Sequence, residues 1–386
     1  MTFTTLIDAE SLRELVGSAA AGATGRTPAG QSPYPTQRLP AVQARRDAVP
    51  PSADQATAGR QAAANQPAVS TPVAANQPAA GGQVTGAPVL LDCRFDLSDP
   101  GAGHRAYLTG HIPGARYVDL NRHLSAPVTA DSGRHPLPSA ADLRDLFCSL
   151  GIGEDTQAVA YDEANGSLAA RAWWLLRWLG HSQVAVLDGG FKGWLASGGA
   201  VEHGEPPRAA LDNTVNVNRP RAGFEASHCR HARTQQSVPA ASAPGDAAGF
   251  TTALRPATAS TVAVLRALQD PNRLLVDARA AERFAGSVEP MDPVAGHVPG
   301  AINHPFGSNL RSDGYFLSAT ELRRRWLERL AGTAPADVIM MCGSGVTACH
   351  NLLAMEIAGL PGAALYAGSW SEWIRDPQRP VARGND

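Results

Sequence analysis

The chain has 386 residues and a net charge of -2 at pH 7, with 33 Lys+Arg set against 35 Asp+Glu and a single lysine, Lys192. That balance argues against nucleic-acid binding as a main activity. No apolar run approaches the roughly 18 residues of a membrane span, and five cysteines at irregular spacing make no disulfide framework. The N-terminus, Met1 to Gly17, carries Asp8, Glu10 and Glu14 and lacks a basic n-region with an apolar h-region, so no secretory signal is expected there. A soluble cytoplasmic protein is expected, with no membrane and no metal. Within this first stretch Asp8 to Leu15 reads as a short helix.

Residues 18–88 are dominated by Ala, Pro, Gln, Gly, Ser and Thr, with Tyr34 the only aromatic and Leu39 the only Leu or Ile. Such a segment cannot bury enough apolar surface to offset chain ordering, so it reads as a disordered insert. It is either a partner-binding or tethering tail or a drifting insertion. A second weak stretch, residues 204–258, reads as an interdomain linker.

The ordered remainder contains an internal repeat. Leu90-Leu91-Asp92-Cys93-Arg94 answers to Leu275-Val276-Asp277-Ala278-Arg279, and Gly110-His111-Ile112-Pro113-Gly114-Ala115 to Gly296-His297-Val298-Pro299-Gly300-Ala301. Val159-Ala160-Tyr161-Asp162 answers to Ile339-Met340-Met341-Cys342. Val186 to Gly190 with Trp194 answers to Leu365 to Ser369 with Trp373. Four ordered matches at similar offsets point to a duplicated domain. The halves are read as 1–203 and 259–386. In the second, strands are expected at Leu274 to Val276, Val338 to Met341 and Ala364 to Tyr366, with helices at Ala319 to Leu330 and Thr347 to Ile357. Short apolar runs alternating with helices predict an α/β fold with a parallel sheet in each half. Trp173, Trp174, Leu175 and Leu176 are expected in the core, and His111 and His297, in their Pro-Gly turns, are read as structural.

The segment Val338 to His350 carries the chemistry. A buried strand ends at Cys342, followed by Gly343-Ser344-Gly345-Val346-Thr347 and a helix. Ligands of open α/β sheets bind beyond the carboxyl ends of the strands. The two glycines let the loop curl its backbone N–H groups inward as an anion nest. A cysteine there is expected to titrate below the free value of about 8.5 and to act as a nucleophile. Cys-x5-Arg phosphatases need an arginine six residues on, where this chain has Ala348. Thiol–disulfide exchange needs a C-x-x-C pair, and Cys349 lies inside the predicted helix, where packing is its expected role.

The loop Cys342 to Ala348, the paired Gly-His-(Ile/Val)-Pro-Gly-Ala motifs and Gly368-Ser369-Trp370-Ser371-Glu372-Trp373 resemble the tandem-domain rhodanese family. The loop is most similar to that of its 3-mercaptopyruvate sulfurtransferase branch. The resemblance implies two tandem rhodanese-like domains, each a parallel sheet flanked by helices, with the first silent because Asp162 stands where the second has Cys342. It implies a sulfurtransferase without cofactor. A small-molecule sulfur donor, 3-mercaptopyruvate or alternatively thiosulfate, would form a Cys342 persulfide that a thiol, cyanide or a thioredoxin-like acceptor discharges. A non-catalytic rhodanese-like scaffold is the other implied possibility, and the intact Cys342 loop counts against it.

By the same resemblance Ser344 matches the loop serine that assists catalysis, and His135 the histidine of a Ser-His-Asp relay. The relay's aspartate falls on Asn121, which can orient a histidine but not stabilise an imidazolium by charge. Arg283 matches the arginine that binds the donor's anionic end, and a second substrate arginine falls on Met291. Gly343, Gly345, Val346 and Thr347 complete the substrate loop. Asp277, with Arg279, is expected to brace it.

Overall fold

The computed structural model describes residues 2–23, 86–205 and 257–384. Most of the insert and most of the linker lie outside the described residues. In chain order the elements are β1 (Leu6–Ile7), α1 (Ala9–Ala23), β2 (Val89–Asp92), α2 (Ala102–Thr109), β3 (Arg116–Tyr117), α3 (Ala140–Ser149), β4 (Ala158–Tyr161), α4 (Ala169–Trp178), β5 (Val184–Leu187) and α5 (Gly190–Ala196). The second half continues with α6 (Thr261–Ala267), β6 (Leu274–Asp277), α7 (Ala281–Phe284), β7 (Ile302–Asn303), α8 (Ala319–Leu330), β8 (Val338–Met341), α9 (Thr347–Ile357), β9 (Ala364–Leu365) and α10 (Ser369–Trp373).

Among the described residues each half forms one parallel sheet, ordered β1-β5-β4-β2-β3 in the first and β9-β8-β6-β7 in the second. Thr258 bridges Leu365 in parallel. Leu365 N–H donates to the Ala257 carbonyl (2.9 Å) and Ala259 N–H to the Leu365 carbonyl (2.8 Å). Residues 257–259 thus take the edge place that β1 has in the first sheet, and the two halves share one topology. Two boundaries read from composition move as a result. The second sheet already begins at Ala257, inside the expected linker, and α1 runs to Ala23, past Ser18. The small residues of these segments, Ala, Thr, Ser and Gly, serve equally in linkers, so composition does not mark the change.

Both central strands, β4 and β8, are buried at every position. Covered on both faces, they show no alternation. Helix α8 begins at an N-cap serine. Ser318 accepts the Glu321 N–H, and only the Leu322, Trp326 and Leu330 stripe is buried. Helices α4 and α9 are buried nearly all round and pack on each other. Trp174 and Leu175 therefore share one continuous core with Leu352 and Leu353 of the other half. Burying a side chain such as Leu353 contributes about 1.5–3 kcal/mol. This shared core presses the end of β8 against the first half. Among the described residues no helix is long and apolar enough to cross a membrane.

Candidate active site

Cys342 directly follows β8 and is only 2% exposed. The Gly345 N–H donates to its Sγ at 3.1 Å. Gly345 has φ +76, and a Cβ there would run into the Ala367 carbonyl, so the curl of the loop requires glycine. The matching loop of the first half shows what such a curl holds. Asp162 Oδ1 accepts the N–H groups of Ala164 (3.2 Å) and Gly166 (2.9 Å), and Oδ2 those of Leu168 (2.8 Å) and Ala169 (3.2 Å). It is an anion cradle filled by its own carboxylate.

The first half reaches over the Cys342 loop through three side chains. His135 Nδ1 lies 2.7 Å from Ser344 Oγ, and both residues are buried. Burial, followed by the charges of Arg171 and Arg134, pushes the His135 pKa down to about 3, so the ring is neutral at pH 7. Arg171, on α4, is fully buried. It donates to the carbonyls of Gly345 (3.1 Å) and His135 (3.1 Å), its Nε has no partner, and it forms no ion pair among the described residues. A buried charge without a counter-ion is costly, and this one ties the Cys342 loop to the segment that carries His135. Arg134 is the third. Its Nη2 lies 3.0 Å from where a Gly343 Cβ would stand, and Arg283 Nη1 lies 3.6 Å from the same point.

These two guanidiniums share a carboxylate. Asp292 pairs with Arg134 and, at 3.2 Å, with Arg283. Arg283 also pairs with Glu289 at 2.7 Å. Burial raises the Asp292 pKa. Burial also pushes Glu289 up, but hydrogen bonds from Arg283 and from the Met291 backbone outweigh it and hold the group below its ordinary value. Beside Arg134 and His135 opens a cleft of about 380 Å³, whose walls include Phe95, Leu97, Val128 and Met291.

The structure brings together Cys342, Gly343, Ser344, Gly345, His135 and Arg283. Val346 is buried and Thr347, half-buried, opens α9. Asn121 lines the cleft beside Arg134 and His135. Its side chain is exposed and makes no hydrogen bond to His135, and the nearby Asp119 turns back to accept the N–H groups of Asn121 and Arg122. The relay therefore ends at the histidine. Met291 lies in the cleft wall, and the second cation at the loop is Arg134. Asp277 pairs with Arg279, which also binds the Gly296 carbonyl at 2.8 Å. Arg94, Asp92 and Gly110 repeat that brace in the first half. Both braces hold a Gly-His turn, and Arg279 also stacks on Trp370, whose N–H donates to the Cys342 carbonyl. The histidines of these turns are buried, stacked on Tyr107 and Phe284, and bonded to backbone carbonyls. Cys349 packs against the Gly345 carbonyl, and burial pushes its pKa up to about 12.

Sequence reasoning missed Arg134, Arg171 and Ser369. Arg134 precedes His135 directly, and Arg171 is the one charge in the otherwise apolar first turns of α4. These are weak signals whose meaning depends on the packing of the two halves. Ser369 accepts the Cys342 N–H at 3.0 Å.

Comparison with known proteins agrees with this geometry. The Rhodanese-like domain family matches residues 73–197 and again 260–376. A Pseudomonas aeruginosa protein, provisionally named 3-mercaptopyruvate sulfurtransferase, is 46% identical over 299 residues, covering 77% of this chain and 93% of that protein. A Mycobacterium tuberculosis protein, provisionally named thiosulfate sulfurtransferase, is 39% identical over 300 residues, covering 78% and 92%. Among solved structures, the 3-mercaptopyruvate sulfurtransferase from Leishmania major superposes with a TM-score of 0.57 at 30% identity, over 75% of this chain and 72% of that one.

Proposed function

The chain belongs to the rhodanese family, and from that premise we propose that it transfers sulfur from 3-mercaptopyruvate to a thiol or cyanide acceptor through a persulfide on Cys342. One observation carries the reading: the loop whose amide donates to the Cys342 sulfur also carries Ser344, paired with buried His135, and Gly343, beside which two arginines stand. Residues 259–386, with the edge segment before them, are the catalytic domain. Residues 1–203 are the silent domain that supplies His135, Arg134 and Arg171.

Arg134 and Arg283 hold the donor's carboxylate beside Gly343. The Cys342 thiolate attacks the donor sulfur, the donor's C–S bond breaks, and pyruvate leaves as its enolate. The proton that the donor thiol carried must end on that enolate carbon. In the neutral tautomer with Nδ1 unprotonated, His135 would accept from Ser344 Oγ across 2.7 Å, and the pair can then pass this proton without holding a full charge. The outer persulfide sulfur then carries the negative charge, which the amides of the Gly343–Thr347 loop favour. The acceptor attacks that sulfur, the S–S bond breaks, and its electron pair returns to Cys342 as thiolate. Acceptors include small thiols, cyanide and thioredoxin-like proteins. Such a cycle needs a reduced cysteine, which a cytoplasmic setting would maintain.

Thiosulfate is the second reading. His135 has no carboxylate behind it, and sulfite departs without needing a proton, so an incomplete relay favours this donor. The test is kcat/KM for both donors side by side. A higher value for 3-mercaptopyruvate is expected. Thiosulfate used at least as well would overturn the donor assignment, and full turnover by Cys342→Ala would overturn the persulfide.

A further inference from the structure

Ser369 is one of two non-glycine residues with positive φ among the described residues, at +53. It is fully buried. Serine visits this region rarely, and such strain persists where the surroundings require it. The internal repeat supplies the comparison. The position that answers to Ser369 in the silent half is Gly190, at φ +56. Both copies therefore bend the chain the same way, and only the copy with a cysteine puts a side chain on the bend.

The side chain has a specific use. Ser369 Oγ accepts the Cys342 N–H at 3.0 Å and donates to the Tyr366 carbonyl at 2.8 Å. The main-chain contacts of the turn are common to both halves. Trp370 N–H donates to the Cys342 carbonyl (3.0 Å) and Ser371 N–H to the Gly343 carbonyl (2.9 Å). Phe191 and Lys192 donate likewise to Asp162 (2.8 Å) and Glu163 (3.0 Å). What the live copy adds is the hydroxyl. It also makes room for it, since a Cβ on Gly190 would stand 2.6 Å from the Asp162 carbonyl oxygen. Two residues on, Ser371 Oγ accepts the Arg134 N–H at 3.0 Å, so this short turn touches the nucleophile and the first-half arginine together.

We propose that Ser369 is a positioning residue for the nucleophile: its hydroxyl ties down the Cys342 N–H and so fixes where the sulfur stands relative to Ser344, His135 and the loop amides. The backbone strain at Ser369 is tolerated for that bond. The proposal rests on the reading of Cys342 as the nucleophile. Ser369 touches no donor, so it acts on the rate of sulfur uptake and not on donor affinity.

The test compares the parent with Ser369→Gly, which accepts the bend freely, and Ser369→Ala, which keeps the strain and loses the hydroxyl. Melting temperature, steady-state constants with 3-mercaptopyruvate and thiosulfate, and single-turnover persulfide formation are measured for each. The expected result for Ser369→Gly is a kcat and a persulfide rate lower by about tenfold or more, with donor KM within about threefold of the parent. Its melting temperature should stay above that of Ser369→Ala, because glycine removes the strain. A Ser369→Gly protein with parental kcat would overturn the proposal. So would a loss of activity matched by a rise in KM, or by a melting temperature no higher than that of Ser369→Ala, since a merely structural serine would behave that way. A parent that takes no sulfur on Cys342 would overturn the underlying reading and the proposal with it, and this outcome is visible before any variant is made.

Discussion

His135 Nδ1 and Ser344 Oγ stand 2.7 Å apart although 209 residues separate them in the chain. One comes from the half with Asp162 and the other from the half with Cys342 at the matching position. On the proposed reading, this contact is what the first half contributes to the site.

The pair also separates the two donors. Mercaptopyruvate chemistry must move a proton to carbon, whereas sulfite leaves without one. Ser344→Ala and His135→Gln should each lower kcat/KM for 3-mercaptopyruvate by about 10²-fold, within the usual range for proton-transfer groups. Their effect on thiosulfate should be several-fold at most. The double variant should be little worse than either single one, because the two residues act as one unit. Steady-state kinetics of the three variants checks this, and equal losses with both donors would contradict the relay.

Arg171 is a buried guanidinium that faces carbonyls and no carboxylate. Arg171→Met removes a costly charge but leaves the Gly345 and His135 carbonyls without that donor. These effects oppose each other, so stability should change by no more than about 2 kcal/mol. Activity should fall at least about tenfold, because the Cys342 loop and the His135 segment lose their common tie. Denaturant unfolding and kinetics on the same preparation test the separation. Loss of activity only in step with loss of folding would refute it.

The two loop glycines should behave differently. Gly345→Ala forces a side chain into positive φ and onto the Ala367 carbonyl, and both are backbone constraints. It should destabilise the protein by about 2 kcal/mol or more and abolish activity. Gly343→Ala meets the movable ends of Arg134 at 3.0 Å and of Arg283 at 3.6 Å, and no backbone. Folding should survive, while donor KM rises as a guanidinium is displaced. Melting curves and KM values for the two variants decide it.

Stability should fall as pH drops below about 6.5. Burial pushes the pKa of His135 and His350 down to about 3 and that of His304 to about 4. Between those values and the ordinary 6.5, the unfolded chain binds protons on these rings that the folded chain refuses. Stability contributed by the neutral rings is therefore present above pH 6.5 and lost on acidification. Asp188 works the other way. Burial raises its pKa to about 6, so the folded state takes up a proton before the unfolded state does. It offsets about one of the three histidines between pH 6 and 4. Melting temperatures from pH 7 to 4.5 should decline, and the decline should be shallower in His350→Gln. A flat profile would contradict the buried neutral rings.

Much of this was legible in the chain because it is periodic or local. The bounds expected for α8 and α9, Ala319–Leu330 and Thr347–Ile357, are those observed, since a capping serine or a glycine loop marks each start. Cys342 was identifiable from strand, glycine loop and helix in immediate succession. Asn121 was not, because whether a side chain meets His135 depends on how the Asp119 turn folds back on itself. Arg134 and Arg171 acquire their roles only when α4 packs on α9. The strain at Ser369 is a dihedral angle, to which a Gly-Ser-Trp-Ser string gives no pointer.

The most direct test of the account is to mix the reduced protein with 3-mercaptopyruvate, quench, digest and weigh the cysteine peptides. The account predicts one added sulfur atom on the peptide carrying Cys342, removed as thiocyanate when cyanide is added. Sulfur found on Cys93, Cys148, Cys229 or Cys349 instead, or undiminished turnover by Cys342→Ala with no sulfur bound, would contradict it.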